Sequence, residues 1–181
     1  TNSVAYTGQV ARNIMIDSLK SLSGKADGGA NAEELQATMM LYFARANKED
    51  LEIVSHKGKD GFPIMQTMVN EISSGSNLTG KTYKGLVPGW PGNMTGPEVV
   101  EMMIKHAAKS DGGVSPELGY NWGQLIQKFL IGAVSYNQIV DNYLDEKMTA
   151  ENKPTHKTYS DGAAYTGKEH SWDEALAPSV R

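Results

Sequence analysis

Cysteine is absent from the 181 residues, which removes disulfides, thiolate metal sites and cysteine nucleophiles from consideration. A domain of this length does not need such staples to be stable. No apolar run reaches the roughly eighteen residues of a membrane-spanning helix. Alternating β-branched runs and Asn-Gly hairpin signals are also missing, so strands are poorly encoded. Positive charge is in deficit: 17 Lys and Arg face 21 Asp and Glu, for a net charge of −4. The basic residues are scattered rather than gathered into the stripe that phosphate binding needs, which argues against a nucleic-acid face. The G-x-S-x-G elbow of serine hydrolases does not occur.

What is present is an ordinary globular composition, 39% hydrophobic and 21% charged, enough for one domain over residues 1–181. The chain opens at Thr1 without a methionine, which sets the expectation of an exported protein, periplasmic or at the cell surface, whose leader has been removed.

Apolar spacing is helical almost throughout. Val10, Ile14, Met15, Leu19 and Leu22 trace one stripe that stops by Gly24. Asn31-Ala32-Glu33-Glu34 has the form of a capping box ahead of Leu35, Met39, Tyr42, Phe43 and Ala46. After a glycine-rich break, Pro63 can open a third helix carrying Ile64, Met65, Met68, Val69 and Ile72. Residues 73–92 read as irregular. Thr95-Gly96-Pro97-Glu98 caps a fourth helix bearing Val99, Val100, Met103, Ile104 and Ala107. A fifth, from Asn121 to Asp145, is apolar on several sides and is expected to be the central one. The sum is an all-α bundle of about five helices. Lys25-x-Asp27-Gly28-Gly29-x-x-x-Glu33 recurs as Lys109-x-Asp111-Gly112-Gly113-x-x-x-Glu117, either an internally duplicated helical hairpin or two good helix-stopping loops.

Candidate chemistry crowds into Lys168-Glu169-His170-Ser171-Trp172-Asp173-Glu174-Ala175. In a helix, His170 and Glu174 share one face, with Glu169 and Asp173 as a second pair beside them. Histidine and carboxylate on one helical face suit iron, zinc or another divalent metal, with further ligands such as Glu71 or Asp141 from facing helices. The competing reading is a solvated helix start, where acidic side chains are favourable. His56, His106 and His156 read as surface decoration. Gly75-Ser76-Asn77-Leu78-Thr79-Gly80-Lys81-Thr82 fits the phosphate-loop expression letter for letter, but lacks the preceding strand and following helix, and reads as coincidence. Asn77-Leu78-Thr79 and Asn93-Met94-Thr95 are sequons for N-glycans, also read as chance. The nine methionines sit mainly at core positions.

Several strings together resemble a bacterial domain-of-unknown-function family of exported, lipoprotein-like helical proteins. They are Ser3-Val4-Ala5-Tyr6-Thr7-Gly8-Gln9 with Arg12, Gly80-Lys81, Gln127-Lys128-Phe129-Leu130-Ile131-Gly132-Ala133 followed by Tyr136-Asn137-Gln138, and His170-x-Trp172-Asp173-Glu174-Ala175. More distantly, the chain is similar to imelysin-like proteins with a His-x-x-Glu motif, in whose place it has His170-x-x-Asp173. The resemblance implies an exported helical protein and the N-terminal part of a larger domain. It supplies no activity.

These observations lead to an exported binding protein, with a metal held by His170 and Glu174 and assisted by Asp173 and Glu169. The alternative is a structural or interaction subunit that packs on a protein partner or on a missing C-terminal half. A metallohydrolase would need a metal and a general base from the same cluster, and the balance leans away from an enzyme.

Overall fold

Four of the five apolar stripes become α-helices, and a fifth helix forms later in the chain, in the computed structural model, which describes residues 7–46, 49–54, 64–147, 158, 160 and 162–176. Helix α1 spans Thr7–Ser23 and α2 spans Ala32–Ala44. Helix α3 runs Gly96–Lys109, α4 runs Trp122–Tyr136, and α5 runs Gly167–Leu176. Helix α1 packs on α2 and α4, α2 on α3, and α3 on α4. Ile16, Leu19, Met39, Met103, Ile104, Ile126 and Leu130 are fully buried between them, each stabilising the bundle by about 1.5–3 kcal/mol.

The most enclosed helix is α1, not α4 as the sequence pattern predicts. Nine of the seventeen α1 residues are buried, against six of fifteen in α4. Gly123 permits its close approach to α4: a Cβ there would strike the Ser23 hydroxyl.

The two Asp-Gly-Gly loops pair with each other. Asp27 and Asp111 form an antiparallel bridge. Gly28 N–H donates to Ser110 O (2.9 Å), and Gly112 N–H donates to Ala26 O (2.8 Å). The second bond is the first one shifted by the offset that relates Asp27 to Asp111. The loop pairing is thus reciprocal, each glycine N–H donating to the residue before the other loop's Asp. Gly28 (φ 77°) and Gly112 (φ 55°) lie in the left-handed region that glycine enters freely.

Helix starts follow local chemistry. Thr95 donates its N–H and its hydroxyl to Glu98 Oε2 (both 2.7 Å), as the expected box requires. Asn121 Oδ1 caps α4 by accepting from Gln124 N–H (2.9 Å). The box expected at Asn31 does not form. The Asn31 amide donates instead to Lys25 O (3.0 Å), and Asn31 N–H is taken by Asp27 Oδ1 (2.9 Å).

The third helix expected over 63–72 is also absent from the described part of that stretch; Pro63 lies outside the described residues. Glu52 and Met68 bridge as extended backbone, with Ile53 N–H on Thr67 O (2.7 Å) and Val69 N–H on Leu51 O (2.8 Å). Leu51, Ile53 and Val69 thereby reach the core. Only one 3₁₀ turn, Val69–Glu71, follows, held by Glu71 Oε2 accepting from Thr67 and Met68 N–H. Long-range pairing has overridden a helical spacing of apolar residues.

The expected fifth helix changes character midway. After Tyr136 the chain continues as a π-helix over Asn137–Lys147, wider than an α-helix and a rare conformation at this length. Helix α5 packs mainly on this π segment.

Candidate functional site

Helix α5 begins with a complete capping box. Glu169 Oε2 accepts from Thr166 N–H (2.8 Å) and the Thr166 hydroxyl (3.0 Å), while Glu169 N–H donates back to Thr166 Oγ1 (3.2 Å). Glu169 therefore fixes the helix start. Thr166-Gly167-Lys168-Glu169 repeats the form of Thr95-Gly96-Pro97-Glu98, a signal present in the sequence beside the candidate ligands. His170 stacks on Tyr165, ring centroids 5.9 Å apart and planes inclined by 23°. Asp173 is half-buried, and Trp172 is exposed. Because α5 is helical, His170 and Glu174 do stand one turn apart. Among the described residues, however, no group of three or more His, Asp or Glu is placed to share a metal ion.

Glu174 points inward and is 4% exposed. Its Oε2 accepts from Gln9 Nε2 (2.8 Å) on α1 and from the Tyr143 hydroxyl (3.1 Å) on the π segment. Three remote segments thus converge on one carboxylate. Burial, reinforced by the charge of Glu174 and the bond to it, pushes the Tyr143 hydroxyl up to about 12. Lys147 Nζ covers the ring of Tyr143 at 4.7 Å from its centroid. Arg12, buried on α1, has its pKa lowered by desolvation, with Tyr143 and Glu174 opposing that shift. Its guanidinium nonetheless stays charged throughout the physiological range.

Beside this cluster lies a small cavity, ≈ 20 Å³, lined by Gln9, Arg12, Asn13, Val134, Ser135 and Gln138. Gln138 is buried in the first turn of the π segment. Gln138 and Tyr143 are five positions apart, which an α-helix would spread about 140° around its axis. The i→i+5 repeat of the π-helix brings such positions towards one face, and both are buried. Among the described residues Arg12 Nε and Gln138 Nε2 are buried without hydrogen-bond partners. Leaving such donors unpaired costs about 1–3 kcal/mol each. Lys81 lies close enough that Arg12, Lys147 and Lys84 add to burial in lowering its pKa, with Glu146 opposing.

Sequence reasoning took Glu174 for a metal ligand and did not single out Gln9, Arg12, Gln138 or Tyr143 as a site. The available signal was Arg12 itself, a charge at a core position of the Ala11, Met15, Leu19 stripe. Of the other histidines, His106 is exposed and stacks on Trp122 at 4.8 Å. His56 and His156 lie outside the described residues. The phosphate-loop string forms no phosphate cradle: Gly80 N–H is capped by Asn77 Oδ1 (2.8 Å), and the Thr82 hydroxyl donates to Leu78 O (2.8 Å).

A family model described as a domain of unknown function (DUF4856) matches residues 111–178. The matched part holds α4, the π segment and α5, and so contributes Gln138, Tyr143 and Glu174 but not Gln9 or Arg12. No curated protein and no solved structure matches the chain.

Proposed function

We propose that the chain is an exported helical binding protein whose site lies where α1, the π segment and α5 meet. The carrying observation is the convergence of Gln9, Arg12, Tyr143 and Glu174 beside a cavity. Ligand sites in helical bundles are built in this way, from polar side chains on facing helices. Binding without chemistry suits these groups: a tyrosine held protonated to about pH 12 and a permanent guanidinium are poor proton carriers near neutrality. Export rests on the resemblance of the sequence strings.

Metal binding is a second reading, favoured by the one-turn spacing of His170 and Glu174 on α5. It would use His170 and Asp173, with Glu174 turning from Gln9 and Tyr143 towards a divalent metal or iron. Such a pair needs at least one further ligand.

Native mass spectrometry of the gently purified chain, beside Arg12→Met and His170→Ala, tests both readings. A small-molecule adduct retained by His170→Ala and lost in Arg12→Met is the expected result. A metal-mass adduct lost only in His170→Ala would move the site to the outer face of α5. Bare mass in all three would overturn both readings and leave a structural or interaction subunit.

A further inference from the structure

The wall of the cavity between α1 and the junction of α4 with the π segment carries two buried donors in want of an acceptor. Arg12 is 8% exposed and Gln138 is 2% exposed, and both Arg12 Nε–H and Gln138 Nε2–H lack partners among the described residues. Two unpaired donors, one of them cationic, call for an oxygen or an anion rather than a metal ion. The room, ≈ 20 Å³, is near that of one water molecule, so a ring or a sugar does not fit inside. One carboxylate oxygen does, with the rest of the group at the mouth. A tetrahedral phosphate is bulkier and carries more charge than one guanidinium balances.

The surrounding charges agree. Lys81 feels Arg12, Lys147 and Lys84 as like charges and Glu146 as the opposing one, while Arg12 faces Glu174. Among the described residues Arg12 is the cation on the cavity wall, and Lys81 stands near enough to feel its charge. A guanidinium N–H and an amide N–H on one cavity wall are suitable donors to a carboxylate oxygen.

We propose that this cavity is a subsite for the carboxylate group of a small organic acid, held by Arg12 Nε–H and Gln138 Nε2–H. It rests on the reading of this junction as a binding site and names the chemistry of what binds there. Arg12 supplies charge and Gln138 supplies orientation. Glu174, with its Gln9 and Tyr143 hydrogen bonds, keeps Arg12 from being the sole buried charge.

The test is thermal melting of the whole chain in sodium acetate against sodium chloride and sodium phosphate, at matched ionic strength and pH. Acetate is expected to raise the Tm of the wild type by about 3 °C over chloride when present about tenfold above its Kd. Gln138→Leu keeps most of the volume, removes the donor and abolishes the rise. Arg12→Met does the same, and if it fails to fold, Gln138→Leu alone decides. Equal melting of the wild type in acetate and chloride overturns the proposal, as does a rise undiminished in Gln138→Leu or a rise with phosphate alone. An adduct in native mass spectrometry without any acetate response overturns the carboxylate subsite and leaves the binding reading standing.

Discussion

Tyr143 donates to Glu174 from a buried position beneath Lys147, and that placement makes the stability of the chain depend on alkaline pH. An unfolded tyrosine ionises near pH 10, whereas burial and the Glu174 charge hold the folded one protonated to about 12. Between those values the folded state binds the proton and the unfolded state does not, so stability falls as pH rises through the window. Urea midpoints taken at pH 9 and pH 11 are expected to separate the wild type from Tyr143→Phe. The wild type loses about 1 kcal/mol more than the phenylalanine variant over that interval, although the variant starts lower by about 1 kcal/mol for the lost hydrogen bond. Parallel pH dependence would show that Tyr143 ionises equally easily in both states. Other residues act just as locally. Glu169 reads from the sequence as a ligand because four polar groups stand together, yet Thr166 three residues earlier marks it as a cap. The sequence reading set a solvated helix start beside the metal site, and the cap belongs to that start.

At the level of elements, the paired Asp-Gly-Gly loops tie the two hairpins together through two main-chain hydrogen bonds. Gly28 and Gly112 have positive φ, and a Cβ on either would meet nothing within 4 Å. The cost of an alanine is therefore purely conformational. Gly28→Ala and Gly112→Ala are each expected to destabilise the chain by about 1–2 kcal/mol in urea. The double variant should differ from the sum of the singles, because both sites share one bridge. A neutral result at either glycine would break the equivalence of the two loops. These loops were legible because glycine after a helical stripe has one strong meaning. The stretch before Ile72 was not: Ile64, Met65, Met68 and Val69 have helical spacing, but Val69 N–H and Thr67 O are claimed by Leu51 and Ile53. A partner some fifteen residues upstream is invisible to local periodicity. The π segment was hidden for a related reason, since its apolar pattern continues that of α4 while its backbone repeat widens.

For the molecule as a whole, the four helices α1–α4 form a mutually packed core, whereas α5 is anchored chiefly to the π segment. Helix α5 buries Ser171, Glu174 and Ala175, and only the last is apolar. The Gln9–Glu174 hydrogen bond ties it to α1, with the charge of Arg12 facing Glu174. Apolar burial stabilises by roughly 25 cal/mol per Å², while a single hydrogen bond contributes about 1 kcal/mol, so α5 and the π segment should open before the core does. Cooperative opening of such a unit exposes the candidate cavity, one wall of which is Gln138. Native-state hydrogen exchange read by mass spectrometry checks this. Peptides covering 137–147 and 167–176 are expected to exchange through one shared opening, faster than peptides from α1, α3 and α4. Glu174→Gln should speed both peptides together while leaving the core unchanged, because it weakens the charge-assisted contact that joins them to α1. Exchange of α5 at the rate of α3 would place it inside the global unfolding unit, and the cavity would then be a fixed pocket filled from its mouth. Separate rates for α5 and the π segment would instead mean that Tyr143 and Glu174 do not hold the two elements together.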